Sequence, residues 1–456
     1  MKKYIYIYAM SILFIMCKKS DYLSGIPDES IVIPKTLIDF QSILDNDRHM
    51  NGSFVYGLTP SLGQAASDDY FMIDSYLNGF SLMYRNLYTW QDDIYSSDEI
   101  NDWSIAYQCV FYANEVLDGI KNLSVSANEK SSFNNIKGSA LFYRAHIFYQ
   151  LSQTFATSYD SLTAKEDYGV PLKLTSDINE KVTRSSVQQL YDQIISDLEL
   201  ASTLLPNKPL FKTRPSRPAV YGLLAKVYLS MRDYKRALLF SDSCITAYNT
   251  SLLDLNNLNT IDSYPFARFN NEVIFQSVMN FNTDGSSGGS FVDTALYNSF
   301  ADQDLRKSAY FDLRTGYHYF KGSYDGTYNL FTGISNDEMF LIRSECNARI
   351  GNISSAMSDL NYLLNLRWSS GTFVTMNPTD SHQALDLILS ERRKELVFRG
   401  TRWTDLRRLN KENYDISISR TLNGQTYELP ANSLKYTFLV PPTVLDFNQG
   451  MPQNPR

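Results

Sequence analysis

Glu391 and Glu395 stand one helical turn apart in the stretch ILSERRKELVFRGTRWTDLRRLN, with Arg392 and Arg393 beside them. Two carboxyl groups facing each other across a cleft are the equipment of a glycoside hydrolase. Here the acids alternate with arginines, and interleaved opposite charges neutralise one another and tie helices together. The spacing favours a structural ion-pair network over a catalytic pair. Other reactive groups agree. The sequence contains no GxSxG, HExxH or P-loop signature. Its four histidines, His49, His146, His318 and His382, are scattered, and His146 lies in a helical pattern where packing is the expected role. The acidic doublets Asp68–Asp69 and Asp92–Asp93 lack the ligand spacing of an EF-hand. Capped turns are expected there and no cofactor, with a structural calcium ion as the minor alternative.

The elements that must position these groups are mainly helical. The chain has 456 residues, 43% hydrophobic and 20% charged, enough to bury a sizeable core. A net charge of −7 argues against nucleic acid as a partner. Apolar residues recur at helical spacing in Trp103 to Ile120, in Ile136 to Ala156, and most clearly in Ser186 to Pro206, where Ser186 and Gln189 form a capping box. Two further stretches read as helix hairpins of the tetratricopeptide kind. In the first, Tyr221, Leu224, Ala225 and Tyr228 lie on one helix and Ala237 and Cys244 on the next. The second repeats the plan with Gly351 in the turn and Ala356 in the place of Ala237. Because a long insertion separates them, from about 252 to 336, no tandem array is expected. That insertion, and an earlier stretch from Asn51 to Glu99, read as irregular, aromatic-rich excursions with loops and short strands. The flexible run Thr283 to Ser290 lies in the insertion.

The N-terminus has the parts of an export signal. Lys2 and Lys3 precede a mostly apolar run from Tyr4 to Met16, which is followed by Cys17. The run is too short to span a bilayer. Cleavage before Cys17 would leave a lipoprotein-type N-terminus, although Met16 stands where such signals favour Gly, Ala or Ser. Cys109, Cys244 and Cys346 then remain, each inside a helical pattern. Three cysteines cannot all pair, so buried free thiols are expected.

The segment from Glu391 to Arg408 resembles the hallmark run of the SusD/RagB family of outer-membrane lipoproteins. The match falls on Glu391, Arg392, Glu395, Leu396, Gly400, Arg402, Trp403, Asp405, Leu406 and Arg408. Arg399 replaces the acidic residue usual before the glycine. The stretch Tyr168 to Leu172, the two hairpins, and a tail carrying Pro441, Asn448, Gln453, Asn454 and Pro455 are similar to other family features, in the same order. The resemblance implies a mainly α, SusD-like fold: a tetratricopeptide-like scaffold with an irregular, loop-rich ligand-binding lobe. It implies a signal peptide over 1–16, an N-terminal region over 17–215, and a C-terminal region over 216–456 with the insertion at about 252–336.

By the same resemblance, Cys17 is expected to carry the lipid anchor, with the protein on the outer membrane and facing outward. The expected role is binding an oligosaccharide and delivering it to a SusC-like TonB-dependent transporter, without catalysis. A peptide-binding RagB-like protein is the main alternative; a surface glycoside hydrolase or a pure assembly scaffold is a weaker one. Sugar rings stack on aromatic faces, so the expected ligand-binding residues are Tyr70, Phe71, Tyr88 and Trp90 from the first excursion. Tyr310, Tyr317, Tyr319 and Tyr324 are expected from the second. The competing expectation is that these rings fill the core of the lobe. Trp103 and Trp403 lie in helical patterns and are expected in the core.

Overall fold

Helical periodicity builds the scaffold. The computed structural model of the protein describes residues 34–53, 57–95, 102–280 and 290–456. Three early helices form where the apolar spacing places them: Asp102–Gly119, Lys130–Phe155 and Val187–Leu204. The second starts earlier than its apolar stripe, because its first residues are polar and largely exposed. Ser186 caps the third: its Oγ accepts from the Gln189 N–H at 3.1 Å, and its own N–H donates to Gln189 Oε1 at 2.9 Å. Trp103 and Trp403 are buried, as are the free thiols of Cys109, Cys244 and Cys346.

The two hairpins form as Arg217–Ser230 with Tyr234–Tyr248 and as Asn336–Arg349 with Ile353–Asn365. Ser216 and Asp233 cap the helices of the first hairpin, accepting from the N–H groups of Ala219 and Arg236. Ala237 and Ala356 are fully buried at equivalent places. A Cβ on Gly222 would come within 2.5 Å of the Ile334 side chain, so only glycine allows that approach. The expectation of no tandem array needs correction in space. Helix Tyr234–Tyr248 packs directly on Asn336–Arg349, so the insertion loops out between neighbours. Packing runs in chain order from Asp102–Gly119 through all these helices to Ser381–Glu395. The result is one stack of packed helices with two apolar cores, one running from the early helices to the first hairpin and one between Asn336–Arg349, Ile353–Asn365 and Ser381–Glu395.

The two excursions, far apart in sequence, make one lobe with its own core. Strand Tyr70–Phe71 pairs antiparallel with Phe291–Val292, and Thr59 bridges to Met279. Phe311–Arg314 and Tyr317–Phe320 form a hairpin turning at Thr315 and Gly316, both at positive φ. Residues 283–289 of the Gly/Ser run, and Cys17 with the export signal, lie outside the described residues.

In the signature segment the helix Ser381–Glu395 ends five residues before Gly400. The chain turns through Phe398 and Gly400, at φ 58° and 70°, and restarts as Thr401–Asn410. Arg399 therefore lies in the turn between the two helices. The tail residues serve as brackets. Gln453 exchanges two hydrogen bonds with the Val440 backbone, and Asn454 donates to the carbonyls of Phe155 and Phe438.

Candidate functional site

The paired glutamates are not a site. Both are buried and held by arginines from distant segments. Arg306 reaches Glu391 at 2.5 Å, Glu395 at 3.1 Å and Asp304 at 2.6 Å. Arg367 joins Glu395 at 2.8 Å to Glu272 at 2.9 Å. Burial alone would raise the Glu395 carboxyl, but Arg367 and Arg306 overcome it and bring it down to about 2. Such a group is a fixed anion and donates no proton near neutrality. Glu272, Asp337 and Glu395 place carboxylate oxygens within 4.8 Å of one another. Arg367 and Arg399 sit among them, so guanidinium groups already provide the positive charge a metal would bring. Further along, Arg392 bonds Asp405 and Arg408 bonds Glu345.

Of the acidic doublets, Asp68 is engaged in the same way. Asp68 receives Arg402 at 2.7 Å and Arg393 at 3.0 Å. Burial would raise its carboxyl, but the Arg402 hydrogen bond and charge, aided by Arg393, bring it to about 2. Asp69 accepts from Gln64, Asp92 pairs with Lys435, and Asp93 caps the Tyr95 N–H. His146 lies flat against Phe142 and edge-on to Phe275 in the core, in the packing role its position suggested.

Five of the eight expected platform rings are core residues, which corrects that expectation. Tyr70, Tyr88 and Trp90 surround the Arg420 guanidinium at 5.1, 4.0 and 4.8 Å. The polar tips are satisfied internally: Tyr70 donates to the Ala65 carbonyl, Trp90 Nε1 to the Ala66 carbonyl, and the Tyr88 hydroxyl accepts from the Met72 N–H. Arg420 closes the cage by donating to the Tyr88, Ala65 and Ser67 carbonyls. Tyr310 and Tyr324 pack on Phe266. Tyr324 also donates to Glu272 and lies 3.9 Å beneath Arg399. These rings brace the lobe and present no face to solvent.

The structure brings the remaining three together. Phe71, Tyr317 and Tyr319 are half-buried around Phe291, at 5.5, 4.1 and 5.3 Å between ring centroids, with Tyr317 stacked on Phe291. Tyr76 meets Phe291 edge-on at 5.9 Å and is 45% exposed. The hairpin explains the grouping. Period-two alternation puts Asp312, Arg314, Tyr317 and Tyr319 on one face and Phe311, Leu313, His318 and Phe320 on the other. On the first face Arg314 bonds Asp312 at 2.7 Å and lies near the Tyr319 ring. The second face covers Tyr297 through His318 and Phe398 through Phe320. The combination of partly exposed aromatic rings with an adjacent carboxylate and guanidinium can hold a polyhydroxylated ligand. Tyr76, Phe291, Asp312 and Arg314 were missed in the sequence reading. For the last two, the DLRTGYHYF alternation around a Thr-Gly turn was an available signal.

A rigid helical stack carrying an aromatic lobe is the layout of a binding protein. Two family models cover most of the chain: one described as "Starch-binding associating with outer membrane" matches residues 21–229, and one described as "SusD family" matches residues 267–456. The chain belongs to the SusD/RagB family, whose members are substrate-binding proteins associated with the outer membrane. Among curated proteins it is similar to SusD-like protein P2 of Formosa agariphila, at 27% identity over 137 residues, 30% of this chain. That match spans only 25% of the relative. A SusD superfamily protein from Bacteroides thetaiotaomicron shares the fold at TM-score 0.74 and 21% identity, covering 92% of this chain and all of that one. A SusD-like carbohydrate binding protein from Bacteroides vulgatus does so at TM-score 0.68 and 20% identity, covering 92% and 98%.

Proposed function

We propose that this protein binds an oligosaccharide on the face formed by Phe71, Tyr76, Tyr317 and Tyr319, and delivers it to a TonB-dependent transporter of the SusC type. The observation that carries the reading is the aromatic cluster around Phe291 with the Asp312–Arg314 pair on the same hairpin face. Aromatic rings offer flat apolar surface to the C–H faces of a sugar. The carboxylate accepts from sugar hydroxyls and the guanidinium donates to them. Binding and release need no bond cleavage, which fits acids that are locked in ion pairs.

Delivery and location rest on the family and on the export signal. In this reading Cys17 carries acyl chains that hold the protein on the outer face of the outer membrane; more than one chain is needed for stable anchoring. Isothermal titration of the purified protein against oligosaccharide and peptide panels tests the ligand class. Saturable heat with a glycan, and none with peptides, is expected. Saturable peptide binding with every glycan silent would overturn the sugar reading.

A further inference from the structure

A second pocket lies away from the aromatic face, under the turn that ends at Gly400. Lys226, Glu338, Arg392, Arg399, Thr401 and Thr404 contribute to its lining. Its volume of about 30 Å³ gives room for one or two water-sized occupants.

Arg392 and Arg399 are 4% and 9% exposed. Each spends part of its guanidinium on protein acceptors. Arg392 donates from Nε to Asp405 at 2.9 Å and from Nη2 to Glu338 at 3.4 Å. Arg399 forms an ion pair from Nη1 with Asp337 at 2.8 Å and donates to Ser335 at 3.0 Å. Each also keeps one buried nitrogen, Nη1 of Arg392 and Nη2 of Arg399, that meets no acceptor among the described residues. Buried donors of this kind call for an acceptor. The charged groups of the lining are balanced: Lys226 pairs with Glu338, Arg392 with Asp405 and Arg399 with Asp337. The lining adds one further pull on negative charge. Gly400, Thr401 and Thr404 bring the first turn of the ten-residue helix Thr401–Asn410, with its positive dipole end, to the pocket, while the Gly400 N–H itself donates to Gln64 at 3.1 Å.

We propose that this pocket binds one small monovalent anion of halide size, held by Arg392, Arg399 and the N-terminal turn of helix Thr401–Asn410. The volume excludes a sugar or a large oxyanion, and the two lining carboxylates repel a multivalent one. The anion ties the signature segment to the helical stack, because Lys226 and Glu338 belong to neighbouring scaffold helices.

Bromide is the probe. Crystals of the full chain soaked in sodium bromide are expected to show an anomalous peak in this pocket. In solution, thermal melts at constant ionic strength are expected to rise saturably when gluconate is replaced by chloride or bromide. The rise is about 2 °C at tenfold excess over half-saturation. Arg399→Gln is expected to abolish that dependence. Should this variant fail to fold, Thr404→Asp, which places a carboxylate at the pocket, is expected to do the same. Absence of the peak, a peak without the solution effect (binding at crystal concentration only), or an unchanged halide response in a folded variant would each overturn the proposal.

Discussion

Arg306 is the residue on which the buried charge network turns, because three carboxylates share its guanidinium. Arg306→Met leaves Asp304, Glu391 and Glu395 short of positive charge in the interior. The expected cost is about 3–5 kcal/mol, read from urea unfolding at pH 7. A loss below about 1 kcal/mol, the scale of an exposed pair, would show that the network is solvated. The carboxyl of Glu395 is held at about 2, below its ordinary value of 4.5. Its contribution is therefore complete above about pH 4.5 and is lost as pH falls toward 2. His146 acts in the same direction but over a higher pH range. Burial, with Lys226 adding to it, holds its imidazole down at about 3. The unfolded chain takes up that proton below about pH 6.5, so the wild type loses stability between pH 7 and pH 5. His146→Leu is expected to gain on the wild type over that interval, on the order of 1–2 kcal/mol by pH 5. A difference in urea midpoint that does not change with pH would contradict this. The alternation of Glu and Arg made the network legible as structural. Its partners Asp304, Arg306 and Glu272 were not legible, because they come from the insertion and no local spacing marks them.

At the scale of elements, the hairpin Phe311–Arg314 with Tyr317–Phe320 decides which aromatics face out. Thr315, a β-branched residue, sits at φ 51° beside Gly316 at φ 85°. Turns of this kind favour Asn or Asp before the glycine. Thr315→Asn is expected to stabilise the hairpin by about 1 kcal/mol, visible as slower amide exchange of its paired residues. Faster exchange would mean that the threonine makes a compensating contact. Helices were legible because their signals are local: the Ser186 capping box and the Ala237 and Ala356 spacing appear in the structure where they were read. The faces of the excursions were less so. Tyr70, Tyr88 and Trp90 look like platform residues until Arg420, more than three hundred residues along the chain, is seen among their rings. Tyr317 and Tyr319 share one strand face in YHYF, a pattern the sequence does contain.

At the scale of the whole molecule, one stack of packed helices holds a lobe assembled from two distant excursions. In this account the lobe takes the ligand and the lipid-tethered chain presents it to a pore. Mass spectrometry of protein from the native membrane is expected to find acyl chains on Cys17, and mild extraction to bring down a TonB-dependent transporter. Release of unacylated protein into the medium would contradict the anchor. The hairpins were legible, but their adjacency was not, because sequence distance hid a contact between Tyr234–Tyr248 and Asn336–Arg349. The central claim is that the aromatic hairpin face takes the sugar. Its most direct test is the affinity of Tyr317→Ala/Tyr319→Ala for an oligosaccharide that the wild type binds, with folding checked by circular dichroism. The account predicts a loss of at least about tenfold, from two half-buried rings each giving about 1 kcal/mol or more; a folded double variant that binds as tightly as the wild type would contradict it.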